Sequence, residues 1–356
     1  MQHFRALAES VKERLFHVRP EVLHRASDPG LLAVALGATL YSPATRAALA
    51  QDIRKQAKSG CLSTVLCLED AVPDDGVPAA EENLLAALAE LNALEESDEL
   101  PLIFIRCRTP EQMLDVGRRA GAALGVVYGF VLPKFENETG RGRAFLEALQ
   151  LLNEESGRTG DPDAQALRAM PIIEDPVTTH LESRVRVLTD NLALINEFRE
   201  LVLCVRVGAT DMSSAFGLRR SRDLTIYNVK VVANIIGDVV NIFGRPDDGW
   251  IISGPVWEHF VNTERGLRPQ LRATPFEAAN EGELRQRILM DNLDGLIREI
   301  ELDQANGLLG KTVIHPSHVP VVHSMSVVSH EEYLDAVDIA GTLGGGVKAS
   351  SYGNKM

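Results

Sequence analysis

The chain has 356 residues, of which 45% are hydrophobic and 24% charged, a composition typical of a globular enzyme and not of a disordered chain. Its formal net charge of −14 repels polyanions, so we expect no nucleic-acid partner. Residues 31–41, the longest apolar stretch, are too short for a membrane helix, and residues 1–20 lack the apolar core of a secretory signal. We therefore expect a cytoplasmic protein with no membrane partner and a small-molecule substrate.

Eight short apolar runs alternate along the chain with longer amphipathic segments. In chain order they cover residues 38–42, 64–70, 102–106, 126–133, 170–174, 201–207, 250–253 and 308–314. Their nearly continuous apolarity is typical of strands that are buried on both faces, as parallel sheets require. Eight such strands alternating with helices predict a single (β/α)8 TIM barrel of the α/β class, with helical insertions, in preference to an open doubly wound sheet.

Helix signals lie between these runs. Leucines at three- and four-residue steps predict a helix over 81–94, and residues 109–112 form a Thr-Pro-Glu-Gln helix start. The pattern over 264–306 predicts a helical insertion, and a further helix is predicted after His330. These signals divide the chain into an N-terminal helical extension (1–37), the barrel (38–323) and a C-terminal helix and tail (324–356).

Polar residues end most of the apolar runs. In a barrel of this kind the active site lies at the carboxyl ends of the strands, so these residues are the candidate site residues. They include, in chain order, Arg46, Glu69, Asp70, Arg106, Lys134, Glu174, Asp211 and Ser253. We therefore expect acidic and basic side chains to converge on one rim of the barrel.

Three of these carboxylates form a candidate metal site. Glu174 and Asp211 follow neighbouring strands and are predicted to face one cavity, where their oxygens suit Mg²⁺ or Mn²⁺. A single carboxylate at a strand end is as well explained by a helix cap or by a pair with an arginine. Glu69, Glu174 and Asp211 together would repel one another in one barrel mouth, and a bound cation removes that cost.

Five segments at the strand ends resemble, in order, motifs of the citrate lyase beta-subunit-like proteins of the HpcH/HpaI aldolase superfamily. They are Leu-Cys-Leu-Glu-Asp-Ala-Val (66–72), Val-Leu-Pro-Lys (131–134), Pro-Ile-Ile-Glu (171–174), Gly-Ala-Thr-Asp (208–211) and Gly-Lys-Thr-Val-Ile-His-Pro (310–316). The resemblance runs from about residue 39 to residue 316. It implies a metal-dependent lyase or aldolase acting on carbon–carbon bonds.

The resemblance also implies roles for individual residues. Glu174 and Asp211 would hold Mg²⁺, and Arg106 would bind the substrate carboxylate or an enolate oxygen. Glu69 and Asp70 would lie near the metal-bound waters. These implied roles make Arg106, Glu69 and Asp70 the candidate catalytic residues.

Two segments depart from the family pattern. Ser-Pro-Ala-Thr-Arg (42–46) stands where relatives usually have Val-Pro-Gly-Asn-Arg, the place where a thioester cofactor docks, so coenzyme A is kept only as an alternative. Residues 216–223 carry three arginines in four positions. Arg219 and Arg220 are candidates for a clamp on phosphate or carboxylates, or for pairs with nearby acids. This segment and residues 253–258 resemble a branch described as carbon–carbon bond lyases of uncharacterised substrate.

Together these features predict a Mg²⁺-dependent carbon–carbon bond lyase or aldolase that works through an enolate. The expected substrate is a small oxo- or hydroxy-acid, with phosphorylated or carrier-linked forms included. Two alternatives stay open: a hydrolase of malyl-type thioesters, and a barrel kept as a non-catalytic ligand-binding protein. Because barrels of this type commonly assemble, we also expect a homo-oligomer.

Overall fold

The structure is a computed structural model that describes residues 1–94, 99–159, 165–260 and 282–341. Its strands are β1 Ala38–Pro43, β2 Ser63–Cys67, β3 Leu102–Arg106, β4 Val127–Leu132, β5 Arg168–Ile173, β6 Val205–Val207, β7 Ile252–Ser253 and β8 Lys311–Val313. They are parallel and lie in the order β7-β6-β5-β4-β3-β2-β1-β8. A bridge between Gly254 and Lys311 joins the two ends of this order. The eight predicted strands and the (β/α)8 barrel are thus confirmed.

Helices separate the strands. Those that the described residues form are Glu9–Leu15, Pro29–Ala35, Leu49–Lys58, Val77–Asn92, Pro110–Ala120, Arg141–Glu155, Pro176–Thr179, Leu181–Glu197, Ala209–Ala215, Lys230–Phe243, Gly282–Ala305, Val319–Met325 and His330–Ala340. Among these helices none has the length and apolarity needed to cross a bilayer. The alternation of strand and helix matches the expectation from the sequence.

Local sequence accounts for the helix ends. Thr109 accepts a hydrogen bond of 3.2 Å from the backbone N–H of Gln112, which confirms the predicted helix start. The helix predicted over 81–94 begins earlier, at Val77, because Pro78 occupies its first turn. Of the predicted insertion 264–306, residues 282–305 form one helix and residues 264–281 lie outside the described part.

The amino end of the barrel is closed by apolar packing. Leu32 and Leu36, from the helix Pro29–Ala35 and the residue after it, join Val65, Phe104 and Met170 in one buried cluster. All four cysteines of the chain are free and buried. Packing at this end leaves the carboxyl ends of the strands for a ligand site.

Candidate active site

A cavity of about 400 Å³ lies at the carboxyl ends of the strands. This volume is within the range of small-molecule sites. Its lining includes Tyr41, Asp70, Arg106, Glu174, Arg206 and Asp211. These residues lie on or just after strands on both sides of the barrel, so side chains from most of the rim line the cavity.

Arg106 is the centre of a charged cluster at this rim. It ends β3, is buried, and its Nη2 atom lies 2.6 Å from Glu69 Oε2, 3.0 Å from Asp70 Oδ2 and 3.1 Å from Glu174 Oε1. Its guanidinium therefore gathers carboxylates that follow two different strands, β2 and β5. The Nε atom of Arg106 has no hydrogen-bond partner in the described part of the chain.

Lys134 links the same carboxylates from the end of β4. Its Nζ atom lies 2.6 Å from Glu69 Oε1 and 3.4 Å from Asp211 Oδ2. Its backbone φ is +50°, which non-glycine residues adopt at a cost of about 1–3 kcal/mol. In this conformation the Lys134 N–H donates a 3.0 Å hydrogen bond to Glu174 Oε1. The strained backbone therefore supports the orientation of the Glu174 carboxylate.

Neighbouring residues hold the carboxylates in place. Arg108 donates a 2.9 Å hydrogen bond to the carbonyl of Leu68 and a further bond to the carbonyl of Val72, which fixes the loop that carries Glu69. Gly208 lies against Glu174 so closely that a Cβ at this position would overlap the carboxylate. A side chain at position 208 would therefore displace Glu174.

Burial and charge act in opposite directions on the pKa values of two of the lining acids, Glu174 and Asp70. Burial raises the pKa of Glu174 to about 7, against the opposing effect of the Arg106 charge. Burial also opposes ionisation of Asp70, yet the charge of Arg106 brings the pKa of Asp70 below its ordinary value. The cavity thus holds one carboxyl group with a raised pKa beside one that is readily ionised.

We call Glu69, Asp70, Arg106, Lys134, Glu174 and Asp211 the rim cluster. Four acids against two bases leave it a formal net charge of 2 − 4 = −2. The buried Oδ2 atom of Asp211 accepts no hydrogen bond from the described residues. No group of three or more His, Cys, Asp or Glu in the described chain is already arranged as a metal site. Because Mg²⁺ commonly takes only one or two protein carboxylates and completes its shell with water and substrate, the donors at Glu174 and Asp211 fit it.

The other predicted site residues lie elsewhere. Arg46 is exposed and pairs with Asp52 at 2.5 Å, and Ser253 is buried in β7; neither lines the cavity. Arg219 is exposed, whereas Arg220 is buried and paired with Glu299. The guanidiniums of Arg219 and Arg220 therefore do not form a two-arginine clamp at the cavity.

A second buried charge cluster explains the position of Arg220. Lys311 Nζ lies 3.0 Å from Glu299 and 2.6 Å from Asp303, and the Tyr227 hydroxyl donates a 2.8 Å hydrogen bond to Asp303. Glu299 also binds Arg220. We call these five residues the wall cluster, since they tie the helix Gly282–Ala305 to β8 and to the loops before residue 230.

Sequence reasoning missed two residues of the cavity. Arg206, in the middle of the apolar strand β6, lines it, and Gly208 sets the space for Glu174. A charged residue inside a strand read as buried on both faces is a signal that could have identified Arg206, because arginine is rarely buried without a reason. Gly208 stood in a quoted motif, but its contact with Glu174 is visible only in three dimensions.

A parallel barrel with buried carboxylates and an arginine at the carboxyl ends of its strands defines a class of TIM-barrel protein with a polar cavity suited to small acids. The model of the carbon–carbon bond lyase family of the TIM-barrel fold matches residues 30–356. The chain belongs to this family and is a carbon–carbon lyase, which confirms the resemblance drawn from the strand-end motifs. No curated protein matches the chain.

Solved structures show the same fold. CitE from Mycobacterium tuberculosis, in complex with magnesium, acetoacetate and coenzyme A, is 19% identical, with a TM-score of 0.51 over 90% of this chain and 92% of that one. RipC from Yersinia pestis is 14% identical, with a TM-score of 0.50 over 85% of this chain and 99% of that one. At these identities the likeness concerns the fold.

Proposed function

We propose that this protein is a Mg²⁺-dependent carbon–carbon bond lyase or aldolase that acts on a small oxo- or hydroxy-acid through an enolate. The observation that carries the proposal is the rim cluster, in which Arg106 gathers Glu69, Asp70 and Glu174 at the edge of the cavity. Asp211 Oδ2 accepts no hydrogen bond from the described residues and lies 3.4 Å from Lys134 Nζ. The CitE complex contains magnesium and acetoacetate, a small oxo-acid, which is consistent with this proposal.

In the proposal Glu174 and Asp211 hold the metal. A bound Mg²⁺ supplies Lewis-acid stabilisation of negative charge on substrate oxygens. The N–H of Lys134 holds one oxygen of Glu174, and Gly208 leaves room for the other. These two contacts fix the Glu174 carboxylate before any substrate binds, which lowers the cost of ordering it during the reaction.

Arg106 is proposed to act on the substrate directly. When the carbon–carbon bond of a hydroxy-acid breaks, its electron pair passes to the carbon next to the carbonyl, and negative charge develops on the enolate oxygen. The hydroxyl on the other carbon loses its proton and becomes the carbonyl of the second product. A guanidinium that is already buried and held by three carboxylates can face that oxygen without reorganising. Removal of one such preorganised donor typically costs about 10²–10³ in kcat.

Glu69 and Asp70 are proposed to order the metal-bound waters. Lys134, whose Nζ is held by Glu69 and Asp211, is proposed to bind the substrate from the opposite side of the cluster. Coenzyme A in the CitE complex keeps a thioester as an alternative form of the substrate. The exposed pair of Arg46 with Asp52 gives that alternative no additional support here.

Deuterium uptake by the methyl group of pyruvate in D2O, followed by proton NMR, tests the proposal. We expect exchange that requires Mg²⁺, that the Asp211→Asn variant loses, and that Asp190→Asn keeps. Asp190 is a matched control because its carboxylate is exposed and, among the described residues, forms an ion pair only with Arg186, at 3.6 Å. Exchange that is unchanged in Asp211→Asn would contradict the metal assignment, and an absence of exchange with saturating pyruvate in the wild type would contradict enolate chemistry on a simple oxo-acid.

A further inference from the structure

We propose that Glu258 is a positioning residue for Asp211 and acts through the hydroxyl of Thr210. The role rests on the proposed function, because Asp211 matters here as a ligand of the metal. Glu258 belongs to the segment after β7, whereas Thr210 and Asp211 lie in the first turn of the helix Ala209–Ala215. A chain of contacts that ends in the wall cluster joins these two parts of the protein.

The first contact holds the start of the helix that carries Asp211. Gly208 precedes this helix, and no side-chain hydrogen bond caps it there. Thr210 is exposed and lines the cavity, and its hydroxyl donates a hydrogen bond of 2.5 Å to Oε1 of Glu258, 48 positions later in the chain. The first turn is therefore tied to the segment after β7 at the residue next to the proposed metal ligand.

The second set of contacts holds Glu258 itself. Arg220 Nε lies 3.3 Å from Glu258 Oε2, and Arg220 Nη2 donates a 3.1 Å hydrogen bond to the carbonyl of Val256. The Cζ atom of Arg220 lies 4.8 Å from the centre of the Trp257 ring. One guanidinium thus contacts three consecutive residues of the segment after β7 and restricts the position of the Glu258 carboxylate.

Arg220 is in turn anchored in the wall cluster. Its Nη1 and Nη2 atoms both bind the carboxylate of Glu299, and the two side chains are only 2% and 0% exposed. A buried pair of this kind resists movement, because separation would leave a charge buried without its partner. Within the wall cluster Arg220 and Lys311 already balance Glu299 and Asp303. Charge balance alone therefore does not account for Glu258.

The position of Asp211 bears directly on metal binding. Mg²⁺ requires near-octahedral geometry with ligands at about 2.0–2.1 Å, so a small displacement of one carboxylate weakens binding. A shift of the first helical turn, once Thr210 is released, moves the neighbouring Asp211. Partners that orient metal ligands contribute about 10–100-fold to affinity, and since Glu258 acts one residue away from the ligand we expect about three- to tenfold.

Mn²⁺ titration followed by electron paramagnetic resonance tests this role. Thr210→Val keeps the branched side chain but loses the hydroxyl, and it should weaken Mn²⁺ binding about three- to tenfold, as should Glu258→Ala. Thr210→Ser should retain the wild-type affinity because the hydroxyl remains. The double variant Thr210→Val/Glu258→Ala should bind no more weakly than the weaker single variant, since both changes remove the same contact. Additive losses would contradict a shared contact.

Thr189→Val is the matched control. Thr189 is exposed in the helix Leu181–Glu197, and its hydroxyl donates a 2.7 Å hydrogen bond to the carbonyl of Val185. Its loss should leave Mn²⁺ affinity unchanged. Urea unfolding of the same variants separates positioning from stability. A contact that is merely structural would lower the free energy of unfolding in Thr210→Val without changing Mn²⁺ affinity, and that result would contradict the role.

The pattern across the variants separates this role from the proposed function. Mn²⁺ affinity that is reduced in Asp211→Asn but unchanged in Thr210→Val and Glu258→Ala would overturn only the role of Glu258. If Glu258→Ala fails to fold, the comparison of Thr210→Val with Thr210→Ser decides.

Unchanged affinity in Asp211→Asn as well, or no Mn²⁺ binding by the wild type, would contradict the metal assignment and with it the role of Glu258. Weaker binding in Thr210→Val together with no deuterium exchange into pyruvate by the wild type would support the positioning role. That combination would contradict only the enolate chemistry on a simple oxo-acid.

Discussion

The rim cluster and the wall cluster both bury acids and bases in one barrel, but they differ in how completely their charges are satisfied. In the wall cluster Lys311 bridges Glu299 and Asp303, and Arg220 and Tyr227 complete the set. In the rim cluster acids outnumber bases, and Asp211 Oδ2 accepts no hydrogen bond from the described residues and lies 3.4 Å from Lys134 Nζ. Buried charges that are all paired, as in the wall cluster, are typical of a structural role. Buried polar atoms without hydrogen-bond partners and a strained backbone, such as that of Lys134, are typical of ligand-binding sites.

The largest expected difference between the two clusters is in the free energy of unfolding after loss of a lysine. Lys311→Met should lower the free energy of unfolding by about 3–5 kcal/mol, because it leaves Glu299 and Asp303 buried without their shared cation. Lys134→Met, in the half-exposed lysine of the rim cluster, should change it by only about 0–1 kcal/mol. Urea unfolding of both variants measures the difference. Equal losses would show that the two clusters have the same structural role.

A smaller effect should appear at Gly208. The methyl group of Gly208→Ala would overlap Glu174, so we expect a loss of about 1–3 kcal/mol in stability together with weaker Mg²⁺ binding. Gly237→Ala is the matched control. Gly237 lies in the helix Lys230–Phe243, and a methyl group added there would have no atom within 4 Å. That control should gain about 0.5–1 kcal/mol. Unchanged metal affinity in Gly208→Ala would mean that Glu174 does not depend on this space.

A pH-dependent effect on stability is expected at the closed end of the barrel. Burial lowers the pKa of His323 to about 3, with a further lowering by His3, whose ring lies 4.5 Å away. Because the unfolded chain binds a proton near pH 6.5 and the folded chain does not, this group makes stability fall as pH drops from about 6.5 to 3. The slope is about 1.4 kcal/mol per pH unit.

His323→Gln should flatten that slope over the same interval, measured as urea midpoints at several pH values. His24→Gln is the control, since the His24 side chain is exposed. An acid slope that is identical in the wild type and in His323→Gln would contradict a neutral buried histidine at this position.

The barrel could be predicted because the sequence signals for its strands lie within short segments of the chain. Eight apolar runs and their spacing identify strands without knowledge of any contact, and the acids at 174 and 211 end or follow two of them. Convergence of Glu69, Arg106 and Glu174 follows from strand order. What the sequence could not give depends on distances between remote segments. Arg220 pairs with Glu299, 79 positions later, so its place in an arginine-rich loop was a misleading sign of a ligand clamp.

Arg206 is a second residue whose surroundings could not be predicted from the sequence. Its sequence neighbours predict only a buried strand, and its special surroundings come from Thr39 and Thr312, which are 167 and 106 positions away in the chain. Gly208 is similar, since its closeness to Glu174 results from the pairing of β5 with β6. Residues whose surroundings come from remote segments of the chain are the hardest to identify from a sequence.

The most direct measurement of the central claim is a Mn²⁺ titration followed by electron paramagnetic resonance on wild type, Glu174→Gln and Glu136→Gln. Both glutamates are buried and follow strands of the same rim, but Glu136 is bound by Thr139, whereas Glu174 faces the cavity. We predict one bound ion in the wild type and in Glu136→Gln, and an affinity at least about tenfold lower in Glu174→Gln. Equal affinity in all three proteins would contradict a metal site at Glu174.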